Sequence, residues 1–318
     1  MRDDLAVITC HYNWCGFRRP DQNLNRFLRQ MAAFGIPVYG AEASLTDKFI
    51  TEGNSNWVQI RVREENICFQ KEALLNIAET VVPSNYTKIA WMDHDIFFTN
   101  LNWREETSIA LDTYKLIQPY EFCYWTDSKG NIEKGARSML SQQPFTEQCL
   151  VTPFWTTIPT HHAGFAFAAN RELWTTGGKL YPFNFLGGGD VTTLYGAIGP
   201  DITTQSLRNS YLTQESNFKP YMAWKKAFGQ YINNNTGFIK GSVYHEYHGP
   251  RQSRRYGIRD KLVNMFNFNH SISLALNYKR VVEFRNTPYG FLDAVKQYFI
   301  ERREDDVEDL KIVGIDQN

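Results

Sequence analysis

The fold is decided by the stretch KIAWMDHDIFF, which runs from Lys88 to Phe98. Its first half is an almost unbroken apolar run that stops at a carboxylate, a pattern typical of a buried strand. Asp93 and Asp95 follow at once, where such a strand would leave its sheet. Because ligands of α/β sheets bind at the carboxyl ends of strands, we expect these two acids to lie at a functional site.

The spacing of Asp93 and Asp95 indicates a bound cation. Two carboxylates this close repel each other unless a cation or a hydrogen-bond donor lies between them. Mg²⁺ and Mn²⁺ prefer carboxylate oxygens and accept phosphate oxygens as further ligands, so a divalent metal that also holds a diphosphate would satisfy both acids. The alternative is a solvated Asp-x-Asp turn, which is common and carries no chemistry.

The first hundred residues alternate between strand and helix patterns. Apolar runs predict three strands, and one-sided apolar spacing predicts helices over 20–35, where Gly35 ends the helix, and over 70–80. The three strands are expected over residues 5–10, 36–39 and 57–62. Because a strand, helix, strand order forms a right-handed crossover, these strands should be parallel, as in a nucleotide-binding half.

The later segments are more mixed. We predict helices over 103–111 and 221–231, a short helix capped by Asn170 and ended by Gly177 and Gly178, and strands over 114–119, 161–168 and, exposed at an edge, 237–247. Residues 121–159 show no sustained period and are interrupted by Gly and Pro, which predicts a long mobile loop. Residues 185–190 read as a flexible turn, and the charged tail after Glu301 as a solvated helix.

Composition narrows the classes of partner. The 318 residues carry 34 basic and 34 acidic side chains, so no net charge draws the chain to nucleic acid or acidic membranes. We find neither a leader pattern nor an apolar run of about 18 residues, which predicts a soluble, cytoplasmic protein. Five scattered Cys with no Cys-x-x-Cys pair are expected to be reduced and mostly buried.

Four landmarks follow one another in a meaningful order. A first strand ends in polar residues, the helix with Lys71-x4-Asn76 precedes Asp93-His94-Asp95, and two glycine-containing segments come later: Gly187-Gly188-Gly189-Asp190 and Tyr247-His248-Gly249-x4-Arg254-x-Tyr256. Over about residues 4 to 262 this order resembles glycosyltransferases of the GT-A fold, which move a sugar from a nucleotide diphosphate. The two later segments are similar to those of the β-galactosyltransferase-like branch. His94 and Val191 depart from the family pattern.

The resemblance implies an α/β GT-A (Rossmann-like) fold, with a mostly parallel central sheet flanked by helices and a C-terminal helical appendage. It implies a glycosyltransferase domain over 1–265, with a nucleotide-sugar half at 1–100 and an acceptor half at 101–265 that contains the mobile loop 121–160. Residues 266–318 would form the C-terminal helical extension.

The resemblance also implies roles for individual residues. Asp95 and His248 would bind the metal, Asp93 would reach it through water or contact the donor ribose, and Asp190 would be the general base. The expected donor contacts are Thr9, His11, Asn13, Lys71, Asn76, Asp93, Arg254, Arg255, Tyr256 and Arg259. His161, His162 and His245 compete as ligands. Each of these residues could instead be structural: a core histidine, a turn acid, a solvated helix position or a surface arginine patch.

The expected function is that of a hexosyltransferase that requires Mn²⁺ or Mg²⁺ and uses a nucleotide-diphosphate sugar. A UDP-sugar is the favoured donor. A base on the face opposite the leaving group implies inversion at the anomeric carbon. No membrane span and no obligate protein partner are expected.

The acceptor is open at this point. The start of the chain and its late basic cluster resemble phage-encoded glycosyltransferases, some of which modify hydroxymethylated pyrimidines in DNA, and the chain would then work in the host cytoplasm. Region 120–160 offers aromatic and basic side chains for a flipped base: Phe122, Tyr124, Trp125, Lys134, Arg137, Phe154 and Trp155. The neutral net charge argues against DNA. A surface polysaccharide or a small molecule is the alternative acceptor, and a non-catalytic nucleotide-sugar or nucleic-acid binding protein is a third hypothesis.

Overall fold

A computed structural model describes residues 2–151, 160–200 and 215–307, without the side chains of Val151, Glu215, Tyr256, Arg259 and Asp260. Within these ranges the strands form a seven-stranded central sheet, a five-stranded second sheet and a two-stranded hairpin. The strands are β1 Leu5–Tyr12, β2 Val38–Ser44, β3 Trp57–Arg61, β4 Lys88–Met92, β5 Ile96–Phe98, β6 Leu116–Gln118, β7 Phe122–Thr126, β8 Ile132–Ser138, β9 His161–His162, β10 Ala166–Asn170, β11 Thr236–Phe238, β12 Ser242–His245, β13 Leu274–Leu276 and β14 Val282–Phe284.

Helices cover both faces of the central sheet. Along β1, Leu5 and Val7 pack with one helix while Ala6 and Ile8 pack with another on the opposite face, as the alternation of side chains in a strand requires. The described helices are α1 Arg18–Ala33, α2 Lys71–Ala78, α3 Trp103–Ala110, α4 Glu147–Val151, α5 Gly189–Ala197, α6 Glu215–Ile232, α7 Tyr256–Met265, α8 His270–Ser273 and α9 Phe291–Ile300.

The central sheet has the order β11-β6-β10-β4-β1-β2-β3. Strands β4, β1, β2 and β3 are mutually parallel, as are β11 and β6, whereas β10 runs antiparallel to both of its neighbours. The predicted α/β class with a mostly parallel, helix-flanked sheet is therefore confirmed. Strand β4 is buried along its whole length and ends at Met92, so that Asp93 is the first residue beyond it.

The prediction of a loop without regular structure over 121–159 is wrong for residues 122–151. Strands β7 and β8 form an antiparallel hairpin there, and α4 follows. In β7 the side chains alternate, with Cys123 and Trp125 buried and Phe122 exposed, a period-2 pattern that the nearby glycines and prolines obscured. Phe154 and Trp155 lie outside the described residues.

Three other local predictions also need correction. The edge strand predicted over 237–247 is two strands, separated near Gly241, whose φ of +120° is incompatible with a continuing strand. Strand β12 is not at an edge, because it pairs with both β5 and β7. The predicted flexible turn over 185–190 instead ends in the first turn of α5. The helix after Asn170 is a short 3₁₀ helix at Arg171–Trp174, and the Asn170 side chain bonds to the Leu111 carbonyl rather than capping it.

The C-terminal segment is tied into the main core. Backbone N–H groups of the β13–β14 hairpin reach back to side chains near α2: Phe284 donates to Asn66 at 2.8 Å and Val282 donates to Gln70 at 2.8 Å. Helix α9 ends at Ile300, and residues 301–307 form turns, so the helix predicted after Glu301 is wrong there. Residues 308–318 lie outside the described residues. The boundary at residue 265 stays a prediction, although one core continues across it.

The described helices include none long and apolar enough to cross a membrane. Of the five cysteines, Cys10, Cys68 and Cys123 are buried, and Cys15 and Cys149 are half-buried.

Candidate active site

A cavity of about 870 Å³ opens at the carboxyl ends of β1 and β4. Its walls come from segments that are distant in sequence. They include the loop after β1 at 12–17, the start of α2, the loop at 93–95, the β7–β8 hairpin, the chain at 161–165, the turn at 187–192, the end of β12 with the basic segment at 245–255, and the chain at 299–304. The two acids that end the decisive strand therefore face a large site, as expected from their place in the sheet.

Lys71 joins two of the acids. Its Nζ lies 2.6 Å from Asp93 Oδ1 and 2.9 Å from Asp190 Oδ1, and its side chain is only 19% exposed. Burial alone would lower the pKa of Lys71, but Asp190 and Asp93 hold the pKa well above its ordinary value. The ammonium group therefore stays charged and holds two carboxylates together that would otherwise repel each other.

The same crowding perturbs Asp93. Burial raises the pKa of Asp93 to about 7, against the lowering effect of Lys71, and Asp190 and Asp95 raise it further. The backbone N–H of Asp93 donates to the Phe165 carbonyl at 2.8 Å, which fixes the start of the loop. Asp93 is thus held by Lys71, and Asp95 belongs to a different cluster.

Asp95 forms a compact group with His245 and His248. Each of the three offers a ligand atom within 4.8 Å of the other two, and Asp95 Oδ2 lies 3.4 Å from His245 Nε2 and 3.1 Å from His248 Nε2. Strand pairing brings them together: β5 and β12 are antiparallel with His245 opposite Ile96, and the Glu246 N–H donates to the Asp95 carbonyl at 2.7 Å.

The chemistry of this group fits a divalent cation. Burial alone would raise the pKa of Asp95, but His245 and His248 hold it well below its ordinary value, so the carboxylate is charged. Burial lowers the pKa of His245 to about 4, which leaves a neutral imidazole that can act as a ligand. Asp95 Oδ1 is buried without a hydrogen-bond partner, which is costly unless a cation satisfies it.

His248 contacts charged groups on both ring nitrogens. Arg254 lies 2.9 Å from its Nε2, on the same nitrogen that faces Asp95, and Glu304 Oε1 lies 3.7 Å from its Nδ1. Arg302 in turn pairs with Glu304 at 2.6 Å. The C-terminal chain therefore reaches the metal-ligating cluster, which the sequence analysis did not anticipate.

Asp190 enters the cavity from the first turn of α5. The preceding Gly187 and Gly188 have φ of +89° and +88°, a conformation that favours glycine. Asp190 Oδ2 lies so close to Gly164 that a Cβ there would come within 2.6 Å of it. A Cβ on Gly189 would collide with the Glu72 carboxylate. Gly164 and Gly189 thus let the backbone approach the carboxylates of Asp190 and Glu72 closely.

Glu72 is a buried acid that the sequence analysis missed. It lines the cavity beside Lys71, and burial raises its pKa to about 7. His162 was considered only as a competing ligand. It lines the cavity with its ring against Phe165 and Trp125, and burial holds its pKa well below the ordinary value.

The structure distributes the predicted residues unevenly. Asn13, Lys71, Asp93, Asp95, Asp190, His248, Arg254 and Arg255 line the cavity. The lining does not include Thr9, His11 or Asn76. Thr9 donates to the Met92 carbonyl at 2.8 Å, and Asn76 makes two hydrogen bonds with the Leu180 backbone. His11 lies one layer behind the cavity, 3.2 Å from His94 and 3.1 Å from Asp21. The side chains of Tyr256 and Arg259 lie outside the described part of the chain.

Some of the missed residues carried a signal in the sequence. His245, which we had named only as a competing ligand, is the third residue before His248. Glu72 directly follows Lys71. Arg302 and Glu304 carried none, because a charged tail is usually solvated.

No family model matches this chain, and no curated protein matches it significantly. Two solved structures of Drosophila β1,4-galactosyltransferase 7 are similar to it, one of the catalytic domain with xylobiose and one of a mutant with manganese, UDP-Gal and xylobiose. Each match covers 60% of this chain and 59% of the other, at 14% identity, with TM-scores of 0.34 and 0.33. This similarity is too low to assign an activity.

The raised pKa of Glu72 leads to a prediction about stability. A carboxyl group whose pKa is higher in the folded state than in the unfolded state lowers the stability of the fold when it ionises. The free energy of unfolding therefore falls as the pH rises from the pKa of the unfolded state to about 7. Glu72→Gln should therefore raise the free energy of unfolding at pH 8 by roughly 1 to 3 kcal/mol. At pH 4, where Glu72 is protonated in both states, the variant should match the wild type. Urea unfolding at the two pH values measures this difference, and an equal effect at both would contradict the assignment.

Proposed function

We propose that this protein is a metal-dependent glycosyltransferase that moves a sugar from a nucleotide diphosphate to an acceptor hydroxyl. The observation that carries the proposal is one cavity in which the Asp95, His245 and His248 cluster lies beside the Lys71–Asp190 pair. A cation site next to the Asp190 carboxyl group matches the two requirements of sugar transfer, which are a stabilised leaving group and a base for the acceptor.

Asp95, His245 and His248 would hold the metal. This set differs from the ligands expected from the sequence, because His245 joins and Asp93 is held by Lys71 instead. Two imidazoles beside one carboxylate favour Mn²⁺ over Mg²⁺, which prefers oxygen ligands alone. When bound, the cation would neutralise the diphosphate that departs from the sugar.

The arginines beside the cluster support the same role. Arg251, Arg254 and Arg255 line the cavity on the side of His248. A guanidinium group matches phosphate oxygens with two parallel donors, so these side chains are suited to bind the diphosphate. Their positive charge also attracts an anionic donor to the cavity.

An aromatic surface next to β1 is suited to a nucleobase. Tyr12 and Trp14 both line the cavity, and their rings stack with centroids 5.4 Å apart. The Asn13 side chain between them is held by Asp21 at 2.7 Å. Flat rings bind bases by stacking, and we propose a UDP-sugar as the donor on this basis together with the cation site.

Asp190 would act as the general base. It lies at the cavity wall, and its Oδ1 accepts a hydrogen bond from Lys71 Nζ at 2.9 Å. A carboxylate that accepts the proton of the acceptor hydroxyl would lie on the face opposite the leaving diphosphate, so the expected outcome is inversion. Asp93, also bound to Lys71, would contact the donor.

The charges around the cavity bear on the acceptor. Arg255 pairs with Glu301, and Arg302 pairs with Glu304, so part of the basic cluster is already neutralised by acids. Trp125 faces the cavity with Arg251 5.8 Å from its ring, while Phe122 is exposed on the hairpin. An interior site with balanced charge favours a neutral glycan or small-molecule hydroxyl over DNA, whose backbone requires an open basic groove.

The cation requirement gives the first functional prediction. Asp95→Asn keeps the shape of the side chain and removes the charge that the metal needs. We expect release of UDP from UDP-sugars to depend on Mn²⁺ and to fall at least about a hundredfold in this variant. Mass spectrometry of a UDP-sugar panel measures it. Asp127→Asn, on the β7–β8 turn, is the matched control and should behave like wild type. Full wild-type turnover in EDTA would rule out the metal.

The second functional prediction separates the base from donor binding. Asp190→Asn should still bind UDP, because it keeps the shape of the side chain, but kcat for transfer should fall roughly 10² to 10⁴-fold through loss of the base. The assay uses neutral glycans, small hydroxylated acceptors and DNA with hydroxymethylpyrimidine. Transfer to DNA alone would overturn our choice of acceptor, and an active Asn variant would show that Asp190 is only a turn residue.

A further inference from the structure

The chain at 301–306, which we call the C-terminal strap, is fixed at two places beside the cavity. Asp305 caps the first turn of α1, where its two carboxylate oxygens accept from the N–H groups of Arg18 and Arg19, both at 2.9 Å. The backbone of the strap also packs against Gly249, where a Cβ would come within 2.7 Å of both the Arg303 carbonyl and Glu304 Cα. Gly249, the residue after His248, and the first two residues of α1 therefore hold the strap.

These fixed points aim Glu304 at His248. The Glu304 side chain is only 14% exposed, and its Oε1 lies 3.7 Å from His248 Nδ1. Arg302 pairs with the same carboxylate at 2.6 Å, and its guanidinium lies 5.3 Å from the Phe69 ring. A buried carboxylate so paired keeps its charge and its direction.

The two ring nitrogens of His248 face different groups. Nε2 lies 3.1 Å from Asp95 Oδ2 and 2.9 Å from Arg254, whereas Nδ1 faces Glu304. A cation held together with Asp95 would bind Nε2, because that nitrogen is on the side of the cluster. Nδ1 would then carry the proton of the neutral ring and could donate to a carboxylate.

We propose that Glu304 is a positioning residue that orients His248 for metal binding, so that the C-terminal strap is part of the site. The inference rests on the proposed function only through the metal cluster of Asp95, His245 and His248. In metal sites the second ring nitrogen of a ligating histidine donates to a carboxylate or carbonyl, which fixes the ring and raises its basicity. Glu304 supplies such a carboxylate from a segment about fifty residues beyond the histidine.

The test is the affinity of the whole protein for Mn²⁺ alone, followed by electron paramagnetic resonance of the free ion. Glu304→Ala should weaken binding roughly 10 to 100-fold. Glu304→Gln should weaken it less, because an amide oxygen at this position can still accept from Nδ1–H when the ring binds the ion. Asp306→Asn is the matched control: Asp306 is in the same strap and pairs with Arg303 at 2.9 Å, so its Mn²⁺ affinity should equal that of wild type.

The outcomes separate the two claims. If the wild type binds Mn²⁺ and both Glu304 variants bind it with the same Kd, the role of Glu304 is overturned and the proposed function stays intact. Absence of Mn²⁺ binding in the wild type would overturn both. A merely structural role would lower the thermal midpoint of the metal-free Glu304→Gln variant while its Mn²⁺ affinity stayed at the wild-type value, and that result would also contradict the proposal. If the Ala variant does not fold, the Gln variant decides.

Discussion

The site depends on the compensation of several carboxylates buried in one cavity. Lys71 pairs with Asp93 and Asp190 together, and the histidines at 245 and 248 face Oδ2 of Asp95, whose Oδ1 has no hydrogen-bond partner among the described residues. Burial still raises the pKa of both Asp93 and Glu72 to about 7. Such crowding costs stability, and proteins retain it chiefly where perturbed groups are needed for chemistry. The proposed reaction uses both arrangements: one cluster attracts a cation, and the other holds the base beside Lys71.

The two sheets position different members of the site. The parallel sheet fixes where Asp93 leaves β4, whereas the second sheet fixes Asp95 relative to His245 through the antiparallel register of β5 and β12. The glycine turn before α5 then brings Asp190 to Lys71 from a third direction. Because each group lies at the start of a helix or within three residues of a strand, the scaffold sets its position closely.

Sequence reasoning found the part of the site that local patterns encode. The apolar run that ends at Asp93 predicts both the strand and the place of the acids, and the glycine run predicts a turn that delivers Asp190. Local sequence patterns could not show that Asn76 would bond to the Leu180 backbone, or that β12 would pair on both sides. Contacts such as that of Glu304 with His248 join a tail to a distant loop, and no periodicity in either segment reports them.

The central claim is that a cation binds between Asp95, His245 and His248. The most direct measurement is a crystal structure with Mn²⁺ and UDP, with diffraction data collected on both sides of the manganese absorption edge. We predict one anomalous peak within bonding distance of all three side chains, at roughly 2.0 to 2.3 Å, with diphosphate oxygens completing its shell. Ordered UDP with no anomalous peak at this cluster, or a peak held by Asp93 without the histidines, would contradict the account.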